Sequence, residues 1–362
     1  TWTANLASLN IDGDLNLADG NDVYGDALTG SGTVSRVAAA SNNLRVGGNG
    51  GSGVFSGVIS NASGTTSLIK TGSGTQTLSG ANTYTGATTV SAGTLLVNGS
   101  THASSAVAVN SGGTLGGTGT VNGAITTASG GTMAPGATTG NSIGTLNTAA
   151  VTFTGGTYSV DVDGTTPSGD NINSTGTVAL GAGVAALTVA NATSSTVGKV
   201  YTIVSAATSV TGTFSGKANG TTFTQATRTF LIIYTTTSVT LTDVTGQNIK
   251  VWNGGGGTNS WIFATNWVGG VAPVVSDDLV FAGSVQTSPT NNFTADTSFS
   301  SIRFATGASA FTLAAGNRIT LTGNITNSSS NTQTMNIAMI ANVATVTVDG
   351  SSTIVVGGIV SE

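Results

Sequence analysis

The densest group of side chains with metal-binding chemistry lies near the start of the chain. The stretch NIDGDLNLADGNDVYGD, residues 10–26, holds five aspartates. Hard cations prefer clustered oxygen ligands, so the candidate calcium ligands here are Asp12, Asp14, Asn16, Asp19 and Asp22. The EF-hand pattern is not met, because Leu17 stands where glycine is required and Val23 where glutamate is required. Solvated aspartates at the corners of turns are the alternative interpretation.

Groups suited to acid–base catalysis are sparse and scattered. The single histidine, His102, lies in a segment rich in Ser, Thr and Ala, and no Asp or Glu occurs between Asp26 and Asp161. Glycosidases need paired carboxylates. The adjacent Asp277 and Asp278 are predicted to lie on one strand, where neighbouring side chains point to opposite faces. The sequence therefore predicts that the protein is not an enzyme and holds no cofactor, calcium apart.

Three of the four tryptophans lie close together in the sequence, at Trp252, Trp261 and Trp267. Flat aromatic faces suit stacking against sugar rings, so these side chains are a candidate platform for a surface glycan. The alternative is that they fill the end of a solenoid core, because the terminal coil of a repeat array needs a cap.

The composition limits the partners of this chain. Only 6% of its 362 residues are charged, and the net charge is −5 with nine Lys and Arg in total. Nucleic-acid binding needs clustered basic side chains, and a membrane span needs about 18 consecutive apolar residues. The chain has neither feature, and it has no cysteine for disulfides or thiolate metal sites. We therefore expect no nucleic-acid partner and no membrane insertion of this chain.

Strands are the expected secondary structure. Apolar residues alternate with polar ones, as at Tyr158, Val160 and Val162 and again within residues 230–234. These runs end at Gly, Asn or Ser-Gly, and similar turn-forming residues recur between the strands in SAGTLLVNGS and NSGGTLGGTGTVNGAI. Short strands broken at such corners and stacked on one another form a solenoid. The sequence predicts an all-β fold, a parallel β-solenoid with negligible helix.

One segment carries a specific repeat signature. Residues 68–99, LIKTGSGTQTLSGANTYTGATTVSAGTLLVNG, contain apolar-x-Lys-x-Gly-x-Gly-Thr, then Leu-Ser-Gly-x-Asn-Thr-Tyr-x-Gly, then Val-x-x-Gly-Thr-Leu. This segment resembles the autotransporter-associated β-strand repeat, and LGGTGTVNGAI and VTGTFSG are also similar to autotransporter passengers. The resemblance covers residues 54–246. It implies a right-handed parallel β-helix that is exported and displayed outside the cell, on the bacterial surface.

Three regions are expected along the chain. Residues 1–60 would form N-terminal coils with the acidic loop, residues 61–246 the autotransporter-like β-helix, and residues 247–362 a second, Trp-rich β unit. The two ends resemble each other, since FTADTSFSSIRF parallels WTANLASLNID and VVGGIVSE parallels VFSGVISN. We expect the chain to begin and end partway through a tandem pattern. Because it starts at Thr1 without Met, we also expect a removed leader or a longer parent protein.

The expected function is structural and extracellular. Strand edges at the ends of a solenoid are templates for another chain, so the protein is predicted to assemble head to tail with itself into a filament or stalk. The side chains predicted to form this contact are Trp2, Leu6, Leu9, Ile354, Val356, Ile359 and Val360. The alternative function is a cell-surface adhesin that binds glycan through the Trp-rich region.

Overall fold

A computed structural model describes residues 7–17, 22–36, 39, 41–137, 142–165, 168–342, 345–348, 352–358 and 360–361. These residues form 42 short strands, numbered β1–β42 in chain order, and two 3₁₀ turns at Ala192–Ser194 and Ala264–Asn266. About 2% of the described residues are helical, and the parallel strands stack as the coils of a β-solenoid, about 14 turns in all. The predicted all-β solenoid is therefore confirmed. No described helix is long and apolar enough to cross a membrane.

The chain divides into two compact units. Unit 1 comprises Thr1–Ala218, Gln225–Arg228 and Thr236–Leu241, whereas unit 2 comprises Asn219–Thr224, Thr229–Thr235 and Thr242–Glu362. Successive segments of residues 219–241 therefore belong alternately to unit 2 and unit 1, and all residues from Thr242 onward belong to unit 2. The sequence-based regions placed a boundary at 247 and another at 60. Unit 1 contains the first 218 residues, and the three sequence-based regions stay a prediction.

Unit 1 is built on two long parallel sheets. Sheet 1 consists, in order, of β3 (Val23–Gly25), β6 (Asn42–Val46), β9 (Thr66–Lys70), β11 (Thr88–Val90), β13 (Val107–Val109), β16 (Ile125–Thr127), β19 (Val151–Phe153), β24 (Thr177–Ala182) and β27 (Ser209–Thr213). Sheet 2 consists, in order, of β7 (Gly53–Phe55), β10 (Thr75–Leu78), β12 (Gly93–Val97), β14 (Gly113–Gly117), β17 (Thr132–Pro135), β20 (Thr157–Val160) and β25 (Ala186–Val189).

Shorter sheets complete the coils of unit 1. Sheet 3 contains β15 (Thr120–Val121), β18 (Thr145–Thr148), β23 (Asn171–Ser174) and β26 (Val200–Ala206). The first coils add the pair β1 (Leu9–Asn10) and β4 (Leu28–Thr29) and the sheet β2 (Asp14–Leu17), β5 (Thr33–Arg36) and β8 (Val58–Ile59). One antiparallel hairpin joins β21 (Val162–Asp163) to β22 (Ser168–Gly169). The segments that alternate between the two units contain β28 (Thr222–Gln225), β29 (Arg228–Tyr234) and β30 (Ser238–Asp243).

Unit 2 has three parallel sheets. The first contains β31 (Ile249–Trp252), β32 (Asp278–Phe281), β34 (Ser301–Phe304), β37 (Ile325–Asn327) and β40 (Val346–Val348). The second contains β33 (Thr297–Phe299), β36 (Ile319–Leu321), β39 (Met339–Ala341) and β42 (Val360–Ser361). The third contains β35 (Thr312–Leu313), β38 (Gln333–Met335) and β41 (Ile354–Val356).

Alternation along each strand explains why the coils stack. In sheet 2 the side chains of Leu95, Leu115 and Met133 occupy one register position on successive strands and are fully buried. The residues that precede them, Thr94, Thr114 and Thr132, lie on the opposite face of the sheet and are half-buried, as the two-residue period of a strand requires. Burying each such side chain contributes roughly 1.5–3 kcal/mol. A coil therefore gains most of its stability from the coils above and below it.

Candidate functional site

The described part of the acidic stretch lies on the first coils of unit 1. Asp12 and Asp14 are exposed, and Asn16 accepts a hydrogen bond from the Ser35 hydroxyl at 2.9 Å. Among the described residues, no three Asp, Glu, His or Cys side chains are grouped so that they could hold a metal ion. Asp19 lies outside the described residues. Calcium binding by this stretch stays a prediction.

Asp22 is held by neighbouring side chains. Its carboxylate accepts hydrogen bonds from Arg45 Nε at 2.7 Å and from Asn43 Nδ2 at 2.7 Å. Burial opposes ionisation, but these hydrogen bonds hold the pKa of Asp22 below its usual value. The Arg45 guanidinium also lies over the Tyr24 ring, 5.6 Å from its centroid. This ion pair fastens one coil to the next.

The three clustered tryptophans are core side chains. Trp252 and Trp261 are fully buried and Trp267 is 1% exposed, all within the hydrophobic core of unit 2. The Trp252 and Trp267 rings meet edge to face at 5.2 Å, and Trp267 Nε1 donates a hydrogen bond to the Trp261 carbonyl at 2.7 Å. No ring face is open to solvent, so the predicted glycan platform has no accessible surface. Trp252 lies in β31, an end strand of its sheet, and the interpretation that the tryptophans cap a solenoid stays a prediction.

The other candidate catalytic groups have separate structural partners. His102 is half-buried, and its Nδ1 accepts a hydrogen bond from the backbone N–H of Ser104 at 3.1 Å. Asp277 accepts one from the backbone N–H of Val274 at 2.8 Å, whereas Asp278 accepts one from the Ser301 hydroxyl. These groups do not converge on one site.

The side chains predicted for self-assembly are only partly described. Trp2, Leu6 and Ile359 lie outside the described residues, and of Val360 only its place in β42 is described. Leu9 lies in β1 at one end of unit 1, and Ile354 and Val356 lie in β41 at one end of a unit 2 sheet. Ile354 packs against the core of unit 2, whereas Val356 is exposed.

The lysine of the repeat signature is a buried cation inside the coil. Lys70 is fully buried, and its Nζ donates hydrogen bonds to the carbonyl oxygens of Thr71 at 2.5 Å, Gly72 at 2.9 Å and Ala92 at 3.2 Å. Burial lowers the pKa of Lys70 to about 8, although the charge of Asp26 raises it. The ammonium group thereby joins two consecutive coils at their corners.

A signature glycine makes room for this ammonium group. Gly93 has a φ of +63°, and a Cβ added there would lie 2.8 Å from Lys70 Nζ and 2.6 Å from the carbonyl oxygen of Gly74. Any side chain would therefore be strained in its backbone and would crowd the lysine. The spacing of lysine and glycine in the repeat follows from this corner.

The Asn and Tyr of the signature also have structural partners. Asn82 Oδ1 accepts a hydrogen bond from the backbone N–H of Ile59 at 3.0 Å, and its Nδ2 donates to the carbonyl of Gly80 at 3.0 Å. The Tyr84 hydroxyl is buried and lies 2.6 Å from the Thr88 hydroxyl. The repeat therefore specifies the shape of a coil and contributes no exposed chemistry at these positions.

An open cleft beside sheet 2 is the candidate site that the sequence analysis missed. Its volume is about 400 Å³. Its lining residues are polar or small, with no aromatic, Lys or Arg side chain: Thr94, Thr114, Thr132, Ala134, Pro135, Ala137, Ser159, Asp161, Asp170, Ala190 and Asn191.

Asp170 holds one wall of this cleft together. Its Oδ1 accepts a hydrogen bond from the backbone N–H of Gly144 at 2.8 Å, and its Oδ2 accepts one from that of Asp161 at 2.9 Å. The side chain is 2% exposed, and burial raises its pKa to about 7, with a further increase from the charge of Asp161. Burial also raises the pKa of Asp161. Asn191 completes the wall by exchanging two hydrogen bonds with the backbone of Val162.

The sequence contains a feature that indicates the hairpin beside the cleft. The segment DVDGTTPSGD, residues 161–170, breaks the strand pattern with turn-forming residues and has an aspartate at each end. It supplies the hairpin of β21 and β22. A segment that interrupts a regular repeat, after which the chain resumes the same coil, is expected to form a projecting loop. Such a loop creates a cleft on the otherwise even surface of a solenoid.

The fold and its corners define a parallel β-solenoid protein. Residues 68–97 match the model of the passenger-associated-transport-repeat family, a repeat of autotransporter passenger domains. The suspected autotransporter passenger-like character is thus confirmed, and repeat and solenoid together indicate an exported, surface-type protein. No curated protein matches the chain.

Proposed function

We propose that this protein is an extracellular structural element that assembles head to tail with copies of itself into a surface filament or stalk. The observation that carries the proposal is an apolar strand edge in unit 2. Within the described residues, β40, β41 and β42 are the end strands of their sheets. Val346, Val348, Val355 and Val356 on two of these strands are between 37% and 49% exposed.

Such an edge favours pairing with another chain. An unpaired strand presents a row of N–H and C=O groups, and exposed apolar side chains beside it gain by burial. The complementary partner would be β1, β2 and β3, end strands of their sheets in unit 1. The contact joins two different surfaces, so repeating it produces an open chain of molecules unless rotation closes a ring. Main-chain hydrogen bonds and apolar burial would supply the affinity, as in β-augmentation.

The proposed role needs neither catalysis nor a cofactor. The main partner is a second copy of the chain, and the proposed location is the bacterial cell surface, as the passenger repeat suggests. Glycan adhesion through Trp252, Trp261 and Trp267 is not favoured, because a stacking platform needs exposed ring faces and these rings are buried.

A charge placed on the edge tests this function. Val346→Lys combined with Val355→Lys adds two ammonium groups that would be desolvated on pairing, whereas neither side chain belongs to the described core. Val184→Lys is the matched control, because Val184 is 49% exposed and belongs to unit 1, outside β40–β42. Sedimentation velocity over a range of concentrations provides the measurement.

Three outcomes are expected. The unmodified protein forms species whose size increases with concentration, the double variant stays monomeric, and Val184→Lys behaves like the unmodified protein. A monomeric unmodified protein at every concentration would contradict the proposal. A double variant that assembles normally would show that this edge is not the interface.

A further inference from the structure

The floor of the cleft is a line of outward-facing threonines. The register of sheet 2 aligns Thr94 with Thr114 and Thr114 with Thr132 on consecutive strands. Neighbouring strands lie about 4.8 Å apart, so the hydroxyls repeat at that spacing along the solenoid axis. Ser159, on β20, also lines the cleft.

These hydroxyl groups have unused hydrogen-bonding capacity. Among the described residues, no hydrogen bond engages the side chain of Thr94, Thr114, Thr132 or Ser159. Each hydroxyl can donate one hydrogen bond and accept two. The floor therefore offers both donors and acceptors, repeated on successive coils, to any molecule that enters the cleft.

The acidic end of the cleft is preorganised. Asp161 accepts a hydrogen bond from the backbone of Ser142 and pairs with no described Lys or Arg. Asp170 is fixed by the backbone N–H groups of Gly144 and Asp161, which sets the position of the wall. When ionised, the Asp161 carboxylate is a strong acceptor for hydroxyl donors, because hydrogen bonds to ionised groups are about twice as strong as neutral ones.

We infer that this cleft binds a saccharide chain, with its hydroxyl groups on the line Thr94, Thr114 and Thr132 and one sugar unit hydrogen-bonded to Asp161. A polyhydroxylated ligand supplies donors and acceptors at every coil, which the threonine line needs. A cationic side chain would pair with the acidic end of the cleft, but an ammonium or guanidinium group has no acceptor for the O–H groups of the threonines. The volume of about 400 Å³ lies within the range of small-molecule sites and suits a short oligosaccharide.

The inference is separate from self-assembly and from the buried tryptophans. All lining residues belong to unit 1, and none lies in β40–β42. Because the cleft has no aromatic lining, binding would depend on hydrogen bonds, and a single hydroxyl would contribute a modest share of the affinity.

Two substitutions and one control test the site. Thr114→Val keeps the shape of the side chain and removes its hydroxyl, and Asp161→Asn removes the charge at nearly constant size. Thr126→Val is the control, because Thr126 is exposed on β16 of sheet 1 and does not line the cleft. Circular dichroism confirms the fold of each variant. The probe is a glycan array of neutral, acidic and amino-sugar oligosaccharides, followed by calorimetry with the strongest binder.

The inference predicts binding to at least one class of oligosaccharide. Affinity should fall about fivefold in Thr114→Val, and about tenfold or more in Asp161→Asn, while Thr126→Val stays unchanged. An array without any binder would overturn the inference, as would variants that bind as tightly as the unmodified protein. Tighter binding of oligolysine than of any saccharide, lost in Asp161→Asn, would assign the cleft to a cationic ligand instead.

Discussion

At the scale of single residues, polar groups inside the coil stabilise this protein where surface charges are few. Lys70 donates to three carbonyl oxygens, and Gln76 exchanges hydrogen bonds with the backbone of Leu28 at 2.8 and 2.9 Å. Each of these buried groups forms hydrogen bonds with backbone atoms at a place where a strand turns or where the hydrogen-bond ladder between strands is interrupted. An isolated buried charge is costly, so its value depends on complete hydrogen bonding.

Replacing the buried lysine should destabilise the solenoid. Lys70→Met keeps the length of the side chain but leaves the carbonyls of Thr71, Gly72 and Ala92 without this donor. We expect the free energy of unfolding to fall by about 1–3 kcal/mol, because unpaired buried polar groups lose their hydration without compensation. Urea denaturation measures this change. The exposed Lys199→Met is the control and should shift stability by less than about 0.5 kcal/mol; equal effects of the two substitutions would refute the role of Lys70.

At the scale of elements, the regular coils keep one strand register, whereas the projecting hairpin departs from that register. Sheet 2 repeats one register through Thr75, Thr94, Thr114 and Thr132. The hairpin of β21 and β22 departs from it and is attached through Asp170 to the segment at Gly144. A buried carboxyl group with a raised pKa makes this attachment sensitive to pH.

Stability should therefore decrease as pH rises from about 4 to 8. Burial raises the pKa of Asp170 to about 7 in the folded protein, so the folded state binds this proton more tightly than the unfolded state does. The resulting stabilisation is complete below about pH 3.8 and is lost as pH passes through about 7, with an upper bound of about 4 kcal/mol. Thermal unfolding across this range measures it.

The comparison with Asp170→Asn isolates this contribution. Asp161 and Asp278 also have raised pKa values and act in the same direction, so the difference between the unmodified protein and the variant is informative. We expect a flatter pH profile for Asp170→Asn than for the unmodified protein. A variant profile parallel to that of the unmodified protein would exclude Asp170 as the source.

The repeating elements were predictable from sequence, whereas the departures from the repeat were not. The alternation of apolar and polar residues and the glycines at the corners define the strands around residues 68–97, because each coil packs against a coil of similar sequence. The wall at Asp161 and Asp170 depends on how one inserted loop folds back, which no periodic pattern encodes. The burial of Trp261 was likewise undecided, since an aromatic residue beside glycines suits both a core and a binding surface.

At the scale of the whole molecule, both units are built from stacked parallel strands, and the cleft lies in unit 1. The passenger repeat within residues 68–97 indicates an exported, surface-type protein, and its signature residues are used for the corners of a coil. The end strands of unit 2 carry exposed valines. The central proposal is that molecules of this protein assemble head to tail through these end strands.

Negative-stain electron microscopy of the purified protein tests this claim most directly. The account predicts unbranched fibres many times longer than one molecule, and it predicts that Val346→Lys combined with Val355→Lys abolishes them while Val184→Lys does not. Fields of separate single particles from the unmodified protein, at concentrations well above those used for sedimentation, would contradict the account.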